Sequence, residues 1–153
     1  MIRFKMQRTE EYERLIQFFI DNGLEFDEGE EDFSDMIQCW KVTQEGDYLI
    51  AACMLVKREG NFVIEGIAVD PVFRKCGLGK ILIRKALDEV KARGGEELLL
   101  MARKPEFYKK LNFTVVKPEA APPIFDCLGC PQYGKDCFPE IMKYTLPRED
   151  RSI

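Results

Sequence analysis

Histidine is missing from this chain of 153 residues. That absence removes every histidine-based catalytic triad and every histidine metal site. Long apolar runs are missing as well: the longest, such as residues 49–56, is far too short to span a bilayer. Residues 1–5 alternate like a strand and do not read as a signal peptide, so the chain is read as a cytoplasmic, bacterial-type enzyme. There is no basic excess. The net charge of −4 argues against general nucleic-acid binding. Two phosphate motifs also fail: the dinucleotide fingerprint needs a third glycine where Leu82 stands, and the Walker pattern needs Ser or Thr where Gly79-Lys80 is followed by Ile81.

What remains is ordinary in bulk and specific in pattern. Hydrophobic residues at 46% and charged residues at 33% describe a globular protein, and the length fits one domain over residues 1–153. Strands are predicted at residues 1–5, 39–43, 48–57, 61–69, 97–101, 113–116 and 141–146. Glu45-Gly46-Asp47 and Glu59-Gly60-Asn61 supply hairpin turns. Thr9 can cap a helix from Glu10 to about Asp21 that Gly23 ends. Leu78, Leu82, Ile83, Ala86, Leu87 and Val90 share one face of a second helix, which Arg93-Gly94-Gly95 terminates. Pro105 opens a short third helix.

The most informative stretch is Arg74-Lys75-Cys76-Gly77-Leu78-Gly79, between the strand that stops at Asp70-Pro71 and the second helix. Glycines let the backbone curl close to a ligand, free N–H groups point outward, and the helix dipole favours negative charge. A pyrophosphate is the natural guest. Between residues 72 and 85 lie Arg74, Lys75, Lys80, Arg84 and Lys85 with no acidic residue, as an anionic ligand requires.

These residues resemble the acyl-CoA-binding signature of the GNAT N-acetyltransferase superfamily. Ile67-Ala68-Val69-Asp70-Pro71 is similar to the strand that leads into it. Pro105-Glu106-Phe107-Tyr108-Lys109-Lys110-Leu111-Asn112-Phe113 is similar to the family's late helix. The resemblance implies an α/β (α+β) fold with a mixed, mostly antiparallel sheet of six to seven strands and about four helices. It implies an acetyl-CoA-dependent N-acetyltransferase acting on a primary amine of a small molecule, an amino acid or a polyamine-like acceptor. The backbone of Ile67, Ala68 and Val69 would pair with the pantetheine. The turn from Arg74 through Lys75, Cys76, Gly77, Leu78 and Gly79 to Lys80 would cradle the pyrophosphate. Tyr108 would protonate the departing thiolate. A homodimer is compatible with such folds. A non-catalytic acyl-CoA-binding or zinc- and redox-sensing module on the same fold is the alternative.

Glu65 is the candidate base, because strand alternation puts it on the face of Ile67 and Val69. An edge-exposed glutamate, or one that binds a cationic acceptor, are the other readings. Cys127-Leu128-Gly129-Cys130 with Cys137 leaves structural zinc, reduced thiols and a redox pair open, since a second C-x-x-C is missing. The segment 126–131, with Cys137, Met142 and residues 103–107, resembles short, single-domain N-acetylglutamate synthase-like proteins. Many of those carry an arginine where Glu65 stands, and an arginine suits a dicarboxylate that a glutamate repels. Eight carboxylates between Asp21 and Asp35, with no basic residue, are either a solvated loop or a cleft for a polyamine, an aminoglycoside or a lysine-bearing peptide.

Overall fold

In the computed structural model of the chain, residues 3–24, 26, 33–124 and 139–147 are described. They fall into two compact units, Met1–Lys57 with Ile64–Glu89, and Arg58–Val63 with Val90–Ile153. Among the described residues the strands number seven, in one mixed sheet.

The first unit begins with β1 (Phe4–Thr9), α1 (Tyr12–Asp21), β2 (Met36–Gln44) and most of β3 (Tyr48–Arg58). The greater part of β4 (Asn61–Val69), a 3-10 turn (Pro71–Cys76) and most of α2 (Leu78–Ala92) complete it. Its strands lie in the order β1-β2-β3-β4. Seven consecutive residues of β3, from Ile50 to Val56, are buried. That is the signature of a strand covered on both faces, and it explains an apolar run without alternation. β1 continues to Thr9, beyond the expected end at Lys5, because Arg8 and Thr9 still pair with Trp40 and Cys39 of β2. The polar composition of this outer strand conceals its length.

α1 starts at Tyr12, two residues later than the sequence suggests, with Glu11 at its N-cap. Thr9 still serves the junction: its Oγ1 accepts from the Glu11 N–H at 3.1 Å and donates to Glu11 Oε1 at 2.9 Å. Glu11 Oε1 also accepts from the ammonium of Lys41, a β2 side chain that is only 8% exposed. Arg14 closes the network, bonding Glu11 Oε2 at 3.1 Å and the Asp47 carboxylate and carbonyl at 3.2 and 2.7 Å. A buried lysine is tolerable only when paired in this way. The network ties the start of α1 to β2 and to the turn before β3.

α1 buries Leu15, Ile16 and Phe19. Phe19 packs directly over Gly66 of β4. A Cβ at residue 66 would lie 2.7 and 2.8 Å from two of its ring carbons. Phe19 is 0% exposed and stacks on Phe26 at 5.6 Å, so the ring has little room to retreat.

The second unit contains β5 (Glu97–Ala102), α3 (Pro105–Lys109), β6 (Thr114–Val116), a 3-10 turn (Pro118–Ala120) and β7 (Glu140–Thr145). β7 lies between β5 and β6 and is antiparallel to both. Here Gly95 meets Phe62 and Val90, each 2.6 Å from where a Cβ would stand. Glu59 and Gly60, with φ of 49° and 82°, make the hairpin turn before β4, as the sequence predicts.

Two predictions follow from the packing. Gly66→Ala is expected to destabilise the protein by about 1–3 kcal/mol through overpacking against Phe19, read from the urea midpoint; an unchanged midpoint contradicts the contact. The Lys41 ammonium, then Thr9 and Arg14, hold the Glu11 carboxyl down to about 2 from its ordinary 4.5. A depressed carboxylate contributes stability that is complete above about 4.5 and is lost as pH falls toward 2. Glu11→Gln should therefore be less stable than the native chain at neutral pH, with the difference closing on acidification. A gap that does not change with pH contradicts the network.

Candidate functional site

β4 carries three apolar residues at its C-terminal end, Ile67, Ala68 and Val69, that are only half-buried, as is Glu65. In the same strand Phe62, Val63 and Ile64 are buried. The strand thus goes from buried to half-buried residues within a few positions, at the end that the sequence assigns to the ligand. Glu65, Ile67 and Val69 share a face by alternation, and Gly66 points toward α1.

Between Val69 and the glycine turn the chain adds a 3-10 turn that the sequence does not lead one to expect. Asp70 caps it, accepting from the Val72 N–H on Oδ1 at 3.0 Å, with Pro71 at the first position. The Asp70 N–H donates to the Ile50 carbonyl at 2.8 Å, which fixes the cap to β3. Phe73 is buried and sets its ring edge-on to Phe4, with centroids 5.8 Å apart. The signal for this turn was present: Asp followed by Pro is the usual opening of a helical turn.

Gly77 ends the turn in the left-handed region, with φ of 75° and ψ of 15°. A Cβ there would meet nothing within 4 Å. Glycine is therefore required by the backbone angle and not by crowding. The reversal launches α2, and the first N–H bonded back along this start is that of Ile81, to the Gly77 carbonyl at 3.2 Å. The N–H groups of Leu78, Gly79 and Lys80 precede it and belong to the open first turn of the helix. Lys75, Lys80, Arg84 and Lys85 are all exposed around them. Open amides, the positive end of a helix of 15 residues and a basic surround fit a pyrophosphate. Leu78 is buried and anchors the turn. Cys76 is exposed, while burial pushes the Cys39 thiol up to about 12 and the Cys53 thiol higher still, which leaves both unreactive.

Tyr108 lies in the second unit, half-buried on α3. Its ring is edge-on to Phe107 at 5.0 Å and to Phe113 at 5.6 Å. Its carbonyl accepts from the N–H groups of Leu111 and Phe113 at 2.9 and 3.0 Å, which closes the helix. Arg103-Lys104-Pro105 does not disturb the start: Pro105 takes the first helical position. Cys127, Cys130 and Cys137 lie outside the described residues, as does most of the acidic block. Among the described residues no group of three or more His, Cys, Asp or Glu is placed to hold a metal, and no helix is long and apolar enough to cross a membrane.

The model of the acetyltransferase (GNAT) family matches residues 5–113, from β1 to the residue after α3 and its closing turn. The chain belongs to that family. Solved structures with the same fold include a GNAT-family acetyltransferase from Staphylococcus aureus Mu50, 17% identical, with a TM-score of 0.73 over 95% of this chain and 100% of that one. The ribosomal-protein-S18-alanine N-acetyltransferase of Escherichia coli is 19% identical, with a TM-score of 0.67 over 94% of each chain. The N-acetylglutamate synthase of Neisseria gonorrhoeae, complexed with coenzyme A and N-acetylglutamate, is 16% identical with a TM-score of 0.68. It matches 97% of this chain but only 36% of its own length. A search of the curated proteins finds no match. GNAT membership makes the chain an acyltransferase enzyme, and the seven-stranded sheet agrees with the fold expected from the sequence.

Variants at Gly77 are expected to follow a specific ranking. Gly77→Val should weaken coenzyme A binding by more than about tenfold, since a β-branched residue in the left-handed region is strained by over 1 kcal/mol. Gly77→Asn, which tolerates that region, should retain most of the affinity. Equal losses in calorimetry would contradict a role for the backbone angle.

Proposed function

We propose that this GNAT enzyme is an acetyl-CoA-dependent N-acetyltransferase whose acceptor is a primary amine of a small molecule, an amino acid or a polyamine-like compound. The observation that carries the reading is the open N-terminus of α2, launched by Gly77 at the end of the 3-10 turn that follows a strand whose apolar end is only half-buried. Acetyl-CoA supplies the thioester acetyl group when bound. The open N–H groups of Leu78, Gly79 and Lys80 would hold its pyrophosphate, and the backbone of Ile67, Ala68 and Val69 would pair with the pantetheine.

The remaining chemistry is proton management, since the amine must arrive deprotonated and the leaving thiolate must be protonated. Tyr108 is the proposed acid, on the strength of its place in the Phe107-Tyr108 pair of the family's late helix. Glu65 is the proposed base, or a binding group for a cationic acceptor. Its half-buried position, on the face of Ile67 and Val69, supports both roles. A carboxylate at that place disfavours a dicarboxylate acceptor and favours a cationic amine. The Escherichia coli neighbour acts on an alanine of a ribosomal protein by its name, and the Neisseria neighbour holds N-acetylglutamate. Both are amine acetylation, on one fold.

Mass-spectrometric screening with acetyl-CoA tests the reading across amino acids, polyamines, aminoglycosides and lysine peptides. Acetylation of a small primary amine is expected; no product from any acceptor would remove the proposal. With an acceptor in hand, Tyr108→Phe should lower kcat by about a hundredfold or more with little change in acetyl-CoA affinity, within the range of general acid catalysis. An unchanged kcat would take Tyr108 out of the mechanism.

A further inference from the structure

Arg74 opens the basic run at the cofactor turn, and its charge suggests a phosphate ligand. In the fold its side chain is committed differently. Nε–H donates to the backbone carbonyl of Val69 at 3.2 Å, reaching back five residues to the last residue of β4. The neighbouring groups are also held. The Asp70 N–H is bonded to Ile50, the Asp70 carboxylate to Val72, and the Asp70 carbonyl accepts from the Phe73 N–H at 2.8 Å. Each of these bonds fixes Asp70 and the 3-10 turn. The bond from Arg74 reaches past them to the carbonyl of the strand end itself.

We propose that Arg74 is a positioning residue. It sets the end of β4, through the Val69 carbonyl, against the turn that carries Gly77 and the open amides of α2. The two stretches of backbone that meet the cofactor are thereby held in register before it binds. The proposal rests on the reading that this turn holds the pyrophosphate of coenzyme A, and deepens it by giving Arg74 a structural route to affinity in place of a charge contact. Preorganisation of this kind raises affinity by cutting the ordering cost of binding.

Bond counting makes the idea testable. In arginine the donor nitrogen Nε is attached to Cδ. Glutamine also carries a nitrogen, Nε2, on Cδ, so it can place an N–H at the same distance along the side chain without a charge. Lysine keeps the charge but has a methylene at that position. Methionine has neither donor nor charge. If Arg74 acts through Val69, Arg74→Gln should bind coenzyme A within about twofold of the native protein. Arg74→Lys and Arg74→Met should then bind about three- to tenfold more weakly, the loss of one hydrogen bond. If it acts by charge on the phosphates, the order reverses: Lys keeps the affinity, Gln and Met lose it, and only the latter pair shows a reduced salt dependence.

Calorimetric titration with coenzyme A reads this directly, and the melting temperature of each cofactor-free variant checks that the fold is intact. Arg74 is exposed, so all three variants are expected to fold. The order Gln above Lys and Met supports the proposal. The reverse order, or three variants equal to the native chain, overturns it. Failure of the native protein to bind coenzyme A is a separate result, seen before any variant is made, and removes the underlying reading together with this one.

Discussion

The proposed cofactor turn depends on one backbone conformation. Gly77 in the left-handed region lets the chain leave a 3-10 turn and enter α2 with the first amides of the helix unbonded. Without that reversal the basic side chains nearby would be only a charged patch, because the directional part of anion binding comes from N–H groups on a rigid frame. The frame is supplied from both sides. Asp70 caps the preceding turn and is fastened to β3, while Leu78 is buried at the head of the helix. The position is open to solvent, so the requirement for glycine is one of angle and not of space.

The rest of the first unit keeps β4 where the turn needs it. Phe19 of α1 sits over Gly66, so the strand that offers its apolar end is fixed from the helix side at a position two residues before Ala68. α1 in turn is held at its start by Glu11, Lys41, Arg14 and Asp47, a group in which the buried Lys41 ammonium and the Arg14 guanidinium share two carboxylates, Glu11 and Asp47. The half-exposed carboxylate of Glu11, 41% accessible, moderates what this pairing is worth. Its effect is one of location: it joins β1, α1, β2 and the hairpin turn at one point. Sequence, packing and site geometry are therefore linked through a few close contacts.

Much of this was legible in the sequence, for identifiable reasons. β4 and α2 were readable because one is a continuous apolar run closed by Asp-Pro and the other has a clear amphipathic period that ends at glycine. The glycine turn at the head of α2 was readable because its glycine spacing and its basic residues are local. β1 and the start of β2 were shortened because the outer strand is polar, and alternation is weak where one edge faces solvent. The 3-10 turn was overlooked although Asp70-Pro71 announces it. Two features depend on residues distant in the chain and leave no local signature, the burial of Lys41 and the seat of Phe19 on Gly66; the reach of Arg74 to Val69 spans five residues but has no signature of its own in the sequence. The cysteine segment at Cys127, Cys130 and Cys137 was conspicuous in the sequence and lies outside the described residues.

Hydrogen–deuterium exchange of the backbone, with and without coenzyme A, tests the central claim most directly. The account predicts slowed exchange concentrated at the amides of residues 75–80 and at Ile67, Ala68 and Val69. Protection confined to other segments, with the amides at the start of α2 exchanging as freely as before, would contradict it.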